Sequence, residues 1–291
     1  MSLSQLTKLN RKILISGASG MLGNALLNVF ASLGDSEIYY ISHSKKILDQ
    51  SAHLLTIDQL SNHYFFAFYH CAAEVNVNLC EIDFEHAKRA NAEYSKDLFR
   101  KVSARHNFYI STDSVYKGDK GDYKESDQAN PVNNYALSKL MGEFEVSKST
   151  KNLYILRTNI FGANSKNKSS LFEWAKRELE GGKSINGFKN IYFNPLSVQH
   201  LSIILKTMLE IDIPHGVYNI GCDTYFSKYD FLVRIADFIG VKKDLVTPLD
   251  YKVTDGMAIR PINTTINCEK IKQYLVGIDL SIEHSFELLQ K

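Results

Sequence analysis

A tyrosine and a lysine one helical turn apart are the residues of this chain best suited to chemistry. Residues 135–139 read Tyr-Ala-Leu-Ser-Lys, so on a helix Tyr135 and Lys139 share a face. A neighbouring ammonium group favours phenolate, and moving a phenol pKa from about 10 to about 7 takes roughly 4 kcal/mol. The pair therefore indicates a tyrosine that exchanges its proton near neutral pH, although the same spacing also occurs on ordinary helix surfaces.

A glycine-rich turn follows the first predicted strand. Residues 13–23 read Ile-Leu-Ile-Ser-Gly-Ala-Ser-Gly-Met-Leu-Gly, an apolar run that ends in a turn and leads into an amphipathic helix. Glycines at such a turn let the backbone approach a pyrophosphate at the helix N-terminus. The spacing differs from the usual dinucleotide fingerprint by one residue at its start. We predict that the phosphate cradle consists of Gly17, Ser19, Gly20, Met21, Leu22 and Gly23.

The end of the second predicted strand bears on the choice of cofactor. Residues 42–46 read Ser-His-Ser-Lys-Lys, and no acidic residue lies between Glu37 and Asp49. An NAD-selective site normally has an acidic residue here, which holds the ribose hydroxyls. Hydroxyl groups and lysines suit a 2′-phosphate instead, so NADP(H) is the preferred cofactor and NAD(H) the alternative. A solvated basic loop is the competing interpretation. The predicted contacts are Ser42, Ser44 and Lys45.

A further hydroxyl group is expected beside this cofactor. Residues 108–116 read Phe-Tyr-Ile-Ser-Thr-Asp-Ser-Val-Tyr, a predicted strand that ends at Ser111-Thr112. Ligands of open parallel sheets bind at the carboxyl ends of the strands. Thr112 therefore joins Tyr135 and Lys139 as a candidate active-site residue.

These motifs, in this order, resemble the extended short-chain dehydrogenase/reductase superfamily and, within it, the dTDP-4-dehydrorhamnose reductase family. The resemblance covers most of the chain. Residues 111–116 are similar to that family's Ser-Thr-Asp-Tyr-Val-Phe segment, residues 72–81 to its Ala-Ala-x-Thr-x-Val-Asp-x-x-Glu stretch, and residues 260–264 to its Arg-Pro-x-Asn-Ser. Val75 and Asn78 depart from the pattern, since the family tends to have Thr and Asp there.

The resemblance implies reduction of a keto-sugar with a nicotinamide cofactor. NADPH would deliver hydride to the ketone carbon, Tyr135 would donate a proton to the oxygen, and Thr112 would hydrogen-bond that oxygen. Lys139 would hold the nicotinamide ribose and lower the tyrosine pKa. The further cofactor contacts implied, besides Tyr135 and Lys139, are Asp58, Ala72, Ala73 and Asn91. The substrate contacts implied are Glu74, Val75, Asp113, Tyr116, Asn159 and Arg260.

Alternating strands and helices predict an α/β fold: a Rossmann-like, doubly wound parallel sheet with a smaller C-terminal substrate lobe. The dinucleotide-binding domain is expected to comprise residues 1–160 plus about 191–222. The substrate-binding lobe would comprise about 161–190 and 223–291. The predicted strands include 12–16, 37–41, 54–57, 65–71, 107–111, 152–157 and 216–221, and the predicted helices 21–33, 83–105, 134–148, 169–180, 198–210 and 227–239.

A long polar loop precedes the helix that carries Tyr135. Residues 117–133 are rich in Asp, Gly and Lys, and loops of this length are often functional lids. A flexible surface insertion is the competing interpretation.

Composition bounds the partners of the chain. The net charge of +2 over 291 residues gives no electrostatic case for nucleic acid. No apolar run nears the length of about 20 residues that crosses a bilayer, and no signal peptide is visible, so we expect no membrane partner and a cytoplasmic location. The four cysteines have no paired spacing, which argues against a disulfide framework or a metal site. The expected partner is a nucleotide-sugar substrate, and a homodimer is left open.

Two other hypotheses stay open beside the reductase. A nucleotide-sugar epimerase uses similar hydroxyl groups but keeps its cofactor bound throughout. A non-catalytic, reductase-like regulatory subunit uses the same fold to bind a partner. A dehydratase is disfavoured, because dehydratases of this superfamily carry Asp-Glu after the catalytic Thr, whereas Thr112 is followed by Asp113-Ser114.

Overall fold

The computed structural model describes residues 11–42, 51–163, 170–254 and 256–290. Among these residues no helix combines the length and the apolar character that a bilayer crossing requires. The strands are β1 (Arg11–Ser16), β2 (Ser36–Ile41), β3 (Ala52–Leu54), β4 (Tyr64–His70), β5 (Ser103–Thr112), β6 (Leu153–Thr158), β7 (Ile160–Phe161), β8 (Ile185–Phe188), β9 (Tyr192–Phe193), β10 (Leu196–Ser197), β11 (Gly216–Ile220), β12 (Phe226–Ser227) and β13 (Val246–Leu249). The helices are α1 (Met21–Leu33), α2 (Val77–Ile82), α3 (Phe84–Lys88), α4 (Tyr94–Lys101), α5 (Asn134–Ser149), α6 (Leu171–Glu180), α7 (Val198–Ile211), α8 (Lys228–Phe238), α9 (Glu269–Lys272) and α10 (Ile282–Leu289).

One seven-stranded sheet, in the order β3-β2-β1-β4-β5-β6-β11, organises the chain. Every neighbouring pair of its strands is parallel, so the connections must cross over, and helices make most of these crossovers. The chain starts near the centre of the sheet and winds outward to both sides, which is the order of a doubly wound, Rossmann-like fold. The predicted fold class is confirmed, and the strand predicted at residues 216–221 joins the sheet as β11.

Alternate side chains of each strand enter two separate apolar cores. Ile13 and Ile15 of β1 belong to the core that includes α1 and α7, whereas Leu14 belongs to the core that includes α4 and α5. All three side chains are completely buried. Burial on both faces explains why the strands are continuous apolar runs in the sequence. Helices therefore pack on both faces of the sheet and support its carboxyl edge.

The strand register brings the predicted functional segments to one edge of the sheet. Ser16 at the end of β1 pairs with His70 at the end of β4, and Thr112 at the end of β5 pairs with Thr158 of β6. Ser16 Oγ and His70 Nδ1 are 2.6 Å apart, so a buried hydrogen bond joins the ends of β1 and β4. The segments that follow these strands therefore lie side by side, where ligands of parallel sheets bind.

The strand predicted at residues 54–57 is wrong in position. The structure has β3 at Ala52–Leu54 instead, and a 3-10 helix at Ile57–Asn62 follows it. Thr56 and Gln59 form a capping box that starts this short helix, and the cap ends the extended conformation.

The helix predicted at residues 83–105 is interrupted and shorter. It consists of α3, a π-helical segment at Arg89–Glu93, and α4, and β5 already begins at Ser103. Helix α2 lies before it and has no counterpart in the prediction. Its N-cap is Asn76, whose side chain accepts a hydrogen bond from Leu79 N at 3.1 Å.

The polar loop before α5 is docked on the C-terminal part of the chain. Tyr123 N donates to Thr265 O at 2.9 Å, and Asn267 N donates to Tyr123 O at 2.8 Å. Asn263 N donates to Gly118 O at 2.8 Å. The Tyr123 side chain is buried, so this loop is packed against the C-terminal part of the chain.

Elements outside the large sheet pack on one another. Strand β8 pairs with β13, β9 pairs with β12, and α6 packs against α8. All of these elements except β9 fall within the region expected to form the substrate lobe, and the division of the chain into two domains stays a prediction.

A buried ion pair fixes helix α5 to the sheet. Arg157 of β6 donates to Glu143 of α5 through Nη2 at 2.7 Å and through Nε at 3.1 Å. Ser111 Oγ of β5 donates to the same carboxylate at 2.5 Å, and Arg157 Nη1 donates to the Tyr116 hydroxyl at 3.0 Å. Because Glu143 and Arg157 are 5% and 7% exposed, each charge depends on the other for compensation.

Removing the carboxylate should destabilise the whole fold. Glu143→Gln leaves the Arg157 guanidinium buried without its counter-charge, so we expect the free energy of unfolding to fall by about 3 kcal/mol. Urea unfolding followed by circular dichroism measures this loss. The matched control is Glu145→Gln on the same helix, whose pair with Lys148 is 3.8 Å long and exposed, and which should cost less than about 1 kcal/mol. Equal losses in the two variants would contradict this account of α5.

Candidate active site

A cavity of about 770 Å³ opens at the carboxyl edge of the sheet, within the range of about 300–1,000 Å³ that is usual for ligand pockets. Its wall is formed by the turn between β1 and α1, the ends of β4, β5 and β6, the first turns of α5, and segments from the second half of the chain. Of the predicted site residues, the wall brings together Gly20, Met21, Leu22, Gly23, Ala73, Val75, Thr112, Tyr135, Lys139, Asn159 and Arg260.

The glycine turn packs too tightly for side chains. Gly17 has a φ of 70°, and a Cβ there would lie 2.6 Å from the Ala72 amide nitrogen. A Cβ on Gly23 would collide with the Gly17 carbonyl oxygen, which also accepts a hydrogen bond from Gly20 N at 2.8 Å. The backbone therefore forms the cavity wall from Gly20 onward, at the N-terminus of α1. Such a cradle fits the pyrophosphate of a dinucleotide.

The predicted catalytic residues come from β5 and α5. Asn133 is the N-cap of α5, and its side chain accepts a backbone hydrogen bond from the first turn. This cap places Tyr135 in the first turn and Lys139 one turn later. Thr112 is the last residue of β5, and its hydroxyl donates to Asp113 Oδ1 at 3.1 Å and lies close enough to the Tyr135 phenol to affect its pKa. All three side chains belong to residues that line the cavity.

The Tyr135 phenol is held in its protonated form. Burial raises its pKa, the nearby Thr112 hydroxyl lowers it by a smaller amount, and the Asp113 carboxylate raises it further. Lys139 is not among the groups that shift this pKa, so the expectation that the lysine lowers the tyrosine pKa is not confirmed. At neutral pH the phenol is a proton donor.

The Lys139 amine is buried at the base of the cavity. Its Nζ donates to Ile110 O at 2.7 Å and lies 4.3 Å from the centroid of the Tyr109 ring. Burial lowers its pKa to about 8, and the Glu143 carboxylate opposes that shift. An ammonium group has three donors, so Lys139 retains donors for a ligand.

The Asp113 carboxylate is buried, accepts several hydrogen bonds and does not line the cavity. Its Oδ1 accepts hydrogen bonds from the hydroxyls of Thr112 and Ser114, both at 3.1 Å. Its Oδ2 accepts from Asn159 Nδ2 at 2.9 Å and from Thr264 Oγ1 at 2.6 Å. The structure therefore supports a positioning role for this carboxylate in place of the predicted contact with substrate.

Asn91 and Glu74 also support the wall from behind it. Asn91 Oδ1 accepts from Glu74 N at 2.8 Å, and its Nδ2 donates to Glu74 O at 3.0 Å and to Ser138 Oγ at 2.9 Å. The Glu74 carboxylate accepts from Asn76 N at 2.8 Å and lies 3.6 Å from His86 Nε2. Asn91 is completely buried and does not line the cavity. It ties the segment after β4 to α5, and its contact with the cofactor stays a prediction.

The remaining predicted residues lie away from the wall. Tyr116 is completely buried, stacks on Tyr123 with ring centroids 4.6 Å apart, and donates to Asn219 Oδ1 at 3.0 Å. The Asp58 side chain is 96% exposed and lies 3.8 Å from Lys101 Nζ. Gly17, Ser19, Ser42 and Ala72 are described but do not line the cavity, and Ser44 and Lys45 lie outside the described residues.

Several wall residues have no counterpart in the sequence analysis. They come from α6, β8 and α8, which carry no recognisable motif, and they reach the cavity only because those elements pack together. For Lys228 a local signal does exist, since Ser227 and Asp230 form a capping box and mark the start of a helix. These residues include Trp174, Asn186, Phe188 and Lys228.

Known proteins resemble the chain over nearly its whole length. It is 26% identical over 287 residues to methionine adenosyltransferase 2 subunit beta of Danio rerio, which covers 93% of this chain and 86% of that protein. It is 27% identical over 278 residues to dTDP-4-dehydrorhamnose reductase of Aggregatibacter actinomycetemcomitans, which covers 90% and 92%. These relatives differ in their named roles, so they leave the activity to be argued from the site.

A solved structure shows the same fold. The dTDP-4-dehydrorhamnose reductase of Bacillus anthracis, in complex with NADP, superposes with a TM-score of 0.82 at 23% identity and covers 97% of this chain and 99% of that one. The family model described as RmlD substrate binding domain matches residues 11–283. This match confirms the resemblance found in the motifs, and the chain belongs to the RmlD substrate binding domain family.

Proposed function

We propose that this protein is an NADPH-dependent reductase of a nucleotide-activated 4-keto-6-deoxyhexose. The observation that carries the proposal is that Thr112, Tyr135 and Lys139 all line one cavity, together with Gly20 and Gly23 of the glycine turn. Relatives named dTDP-4-dehydrorhamnose reductase support the same class of reaction.

The residues at the carboxyl edge fit a nicotinamide dinucleotide. The turn packs too closely at Gly17 and Gly23 for side chains, and Gly20 and Gly23 line the cavity at the N-terminus of α1, where the pyrophosphate would bind. Ala73 and Lys139 line the same cavity, and Lys139 would hold the nicotinamide ribose. When bound, the cofactor supplies the hydride that the ketone carbon needs.

A preference for NADPH over NADH follows from the end of β2. Ser42 comes directly after this strand, and no acidic residue stands between Glu37 and Asp49 to hold the ribose hydroxyls of NADH. The similar structure from Bacillus anthracis contains NADP. Ser44 and Lys45 are the residues that we propose for the 2′-phosphate.

Tyr135 would donate the proton that converts the ketone oxygen to a hydroxyl. Burial keeps this phenol protonated at neutral pH. Asp113 accepts the one hydroxyl proton of Thr112 in a hydrogen bond and so holds that hydroxyl in place beside the phenol. The residues of this chain therefore orient the ketone and move one proton.

The substrate would occupy the rest of the cavity. Asn159, Val75 and Arg260 are the predicted substrate contacts that line it, and Arg260 would bind the diphosphate through charge-assisted hydrogen bonds. Glu74 and Tyr116 lie behind the wall, so we propose that they position other residues and do not contact the sugar.

Replacing the proton donor tests the proposal. Tyr135→Phe should lower kcat for NADPH oxidation with a dTDP-4-keto-6-deoxyhexose by about a hundredfold or more, because positioned acid catalysis contributes at least that factor. The NADPH dissociation constant, measured by nicotinamide fluorescence, should change little. Tyr225→Phe is the matched control, since Tyr225 is 65% exposed, and it should behave like wild type. A Tyr135→Phe enzyme with nearly full kcat would rule out this proton donor.

The pH dependence of the reduction tests the charge on Lys139. Burial lowers the pKa of this amine to about 8, so the charged form is complete below that pH and is lost as the pH rises through it. The phenol of Tyr135 stays protonated in that range. We expect kcat, measured at saturating nucleotide sugar so that substrate binding does not contribute, to be level below about pH 8 and to fall about tenfold per unit above it. A level profile up to about pH 10 would show that the charge on Lys139 is not needed.

A regulatory role is the second candidate function. The observation that favours it is the similarity to methionine adenosyltransferase 2 subunit beta. The protein would then bind the methionine adenosyltransferase of its own organism. Sedimentation of the two purified proteins together, followed by assay of the mixture, tests this role. A stable complex with altered transferase activity and no NADPH consumption with keto-sugar would favour it over the reductase.

A further inference from the structure

A second cation lies beside Arg260 in the wall of the cavity. Lys228 is the first residue of α8 and lines the cavity together with Arg260, Trp174 and Phe193. The described residues give neither Lys228 nor Arg260 an ion pair with a carboxylate. Two cations in one cavity without paired carboxylates favour an anionic ligand.

The backbone around Lys228 is rigidly held. Strands β12 and β9 pair directly before it, with Phe226 opposite Phe193, and Lys228 N donates to Ile191 O at 2.9 Å. Ser227 Oγ accepts from Asp230 N at 3.0 Å and so caps α8. The backbone position from which this side chain extends is therefore set by the fold, as a preorganised binding group requires.

The position of Lys228 is unfavourable for stability alone. A cation in the first turn of a helix opposes the helix dipole. Burial lowers the pKa of Lys228 to about 7, the Asp113 carboxylate opposes that shift, and the Arg260 charge adds to it. The Asp113 carboxylate already accepts hydrogen bonds on both oxygens. Contact with the Phe193 ring, whose centroid is 3.1 Å from Lys228 Nζ, compensates for part of the lost hydration.

We propose that Lys228 is a substrate-binding residue whose ammonium group, together with Arg260, binds an oxyanion of the nucleotide sugar. The oxyanion is the diphosphate, because it presents charged oxygens to an ammonium donor and a 4-keto-6-deoxyhexose carries no carboxylate. This inference rests on the proposed function, because it takes the ligand of the cavity to be a nucleotide sugar. It adds a contact that no motif in the chain indicated.

Binding measurements on a set of variants test the inference. The chain has one tryptophan, Trp174, and it lines the cavity, so its fluorescence reports ligand binding. The variants are Lys228→Met, Lys228→Arg and, as a control of equal charge change, Lys242→Met at an exposed position of the same region. The probes are dTDP-glucose, dTDP-glucuronic acid and inorganic pyrophosphate. Nicotinamide fluorescence with NADPH shows whether each variant retains its fold.

We expect Lys228→Met to weaken dTDP-glucose binding about tenfold or more, as loss of a charge-assisted hydrogen bond predicts. A loss of dTDP-glucuronic acid binding alone would contradict the diphosphate as the partner of Lys228. Lys228→Arg should retain binding. Wild-type affinity should decrease as the pH rises through about 7, and that of Lys228→Arg should stay level.

Two results separate failure of this inference from failure of the proposed function. Unchanged binding of both nucleotide sugars and of pyrophosphate in Lys228→Met overturns the role of Lys228, and it leaves the reductase proposal intact. If wild type binds neither nucleotide sugar, but pyrophosphate binding is lost in Lys228→Met, the anion site stands and the proposed substrate is wrong. If wild type binds none of the three probes, the anion site itself is refuted.

Discussion

The buried carboxylate of Glu143 determines where helix α5 lies on the sheet. It joins Ser111 of β5 and Arg157 of β6, two neighbouring strands of the sheet. A charge in an apolar interior is stable only with its complete set of partners. Rotation of α5 would separate these partners and leave a charge uncompensated. Because Tyr135 and Lys139 are on this helix, the same interaction determines the position of the proposed catalytic pair.

The Asp113 carboxylate extends this arrangement to the other side of the cavity. It receives hydrogen bonds from Thr112 at the end of β5, from Asn159 after β6 and from Thr264 near the C-terminus. These residues come from distant parts of the sequence and all line the cavity. One buried carboxylate therefore positions Thr112 relative to Asn159 and Thr264, while Glu143 positions helix α5.

Local signals in the sequence predicted the sheet, helix α1 and the Thr112, Tyr135 and Lys139 set, because apolar runs, glycine spacing and an i, i+4 pair depend on near neighbours. Roles that depend on hydrogen-bond partners could not be predicted in the same way. Asn91 has the expected place in the chain, but Glu74 and Ser138 take up its amide. The wall residues of α6 and α8 were missed because only tertiary packing brings them to the cavity.

The most direct test of the central claim is transfer of deuterium. NADPH labelled with deuterium on both faces of nicotinamide carbon 4 would be incubated with the protein and a dTDP-4-keto-6-deoxyhexose, and the product examined by NMR. The account predicts one deuterium on carbon 4 of the sugar for each NADPH consumed. An epimerase or a regulatory subunit would consume no NADPH. If the protein binds NADPH but the sugar recovered from the reaction carries no deuterium, whether it is a product or unreacted substrate, the account is contradicted.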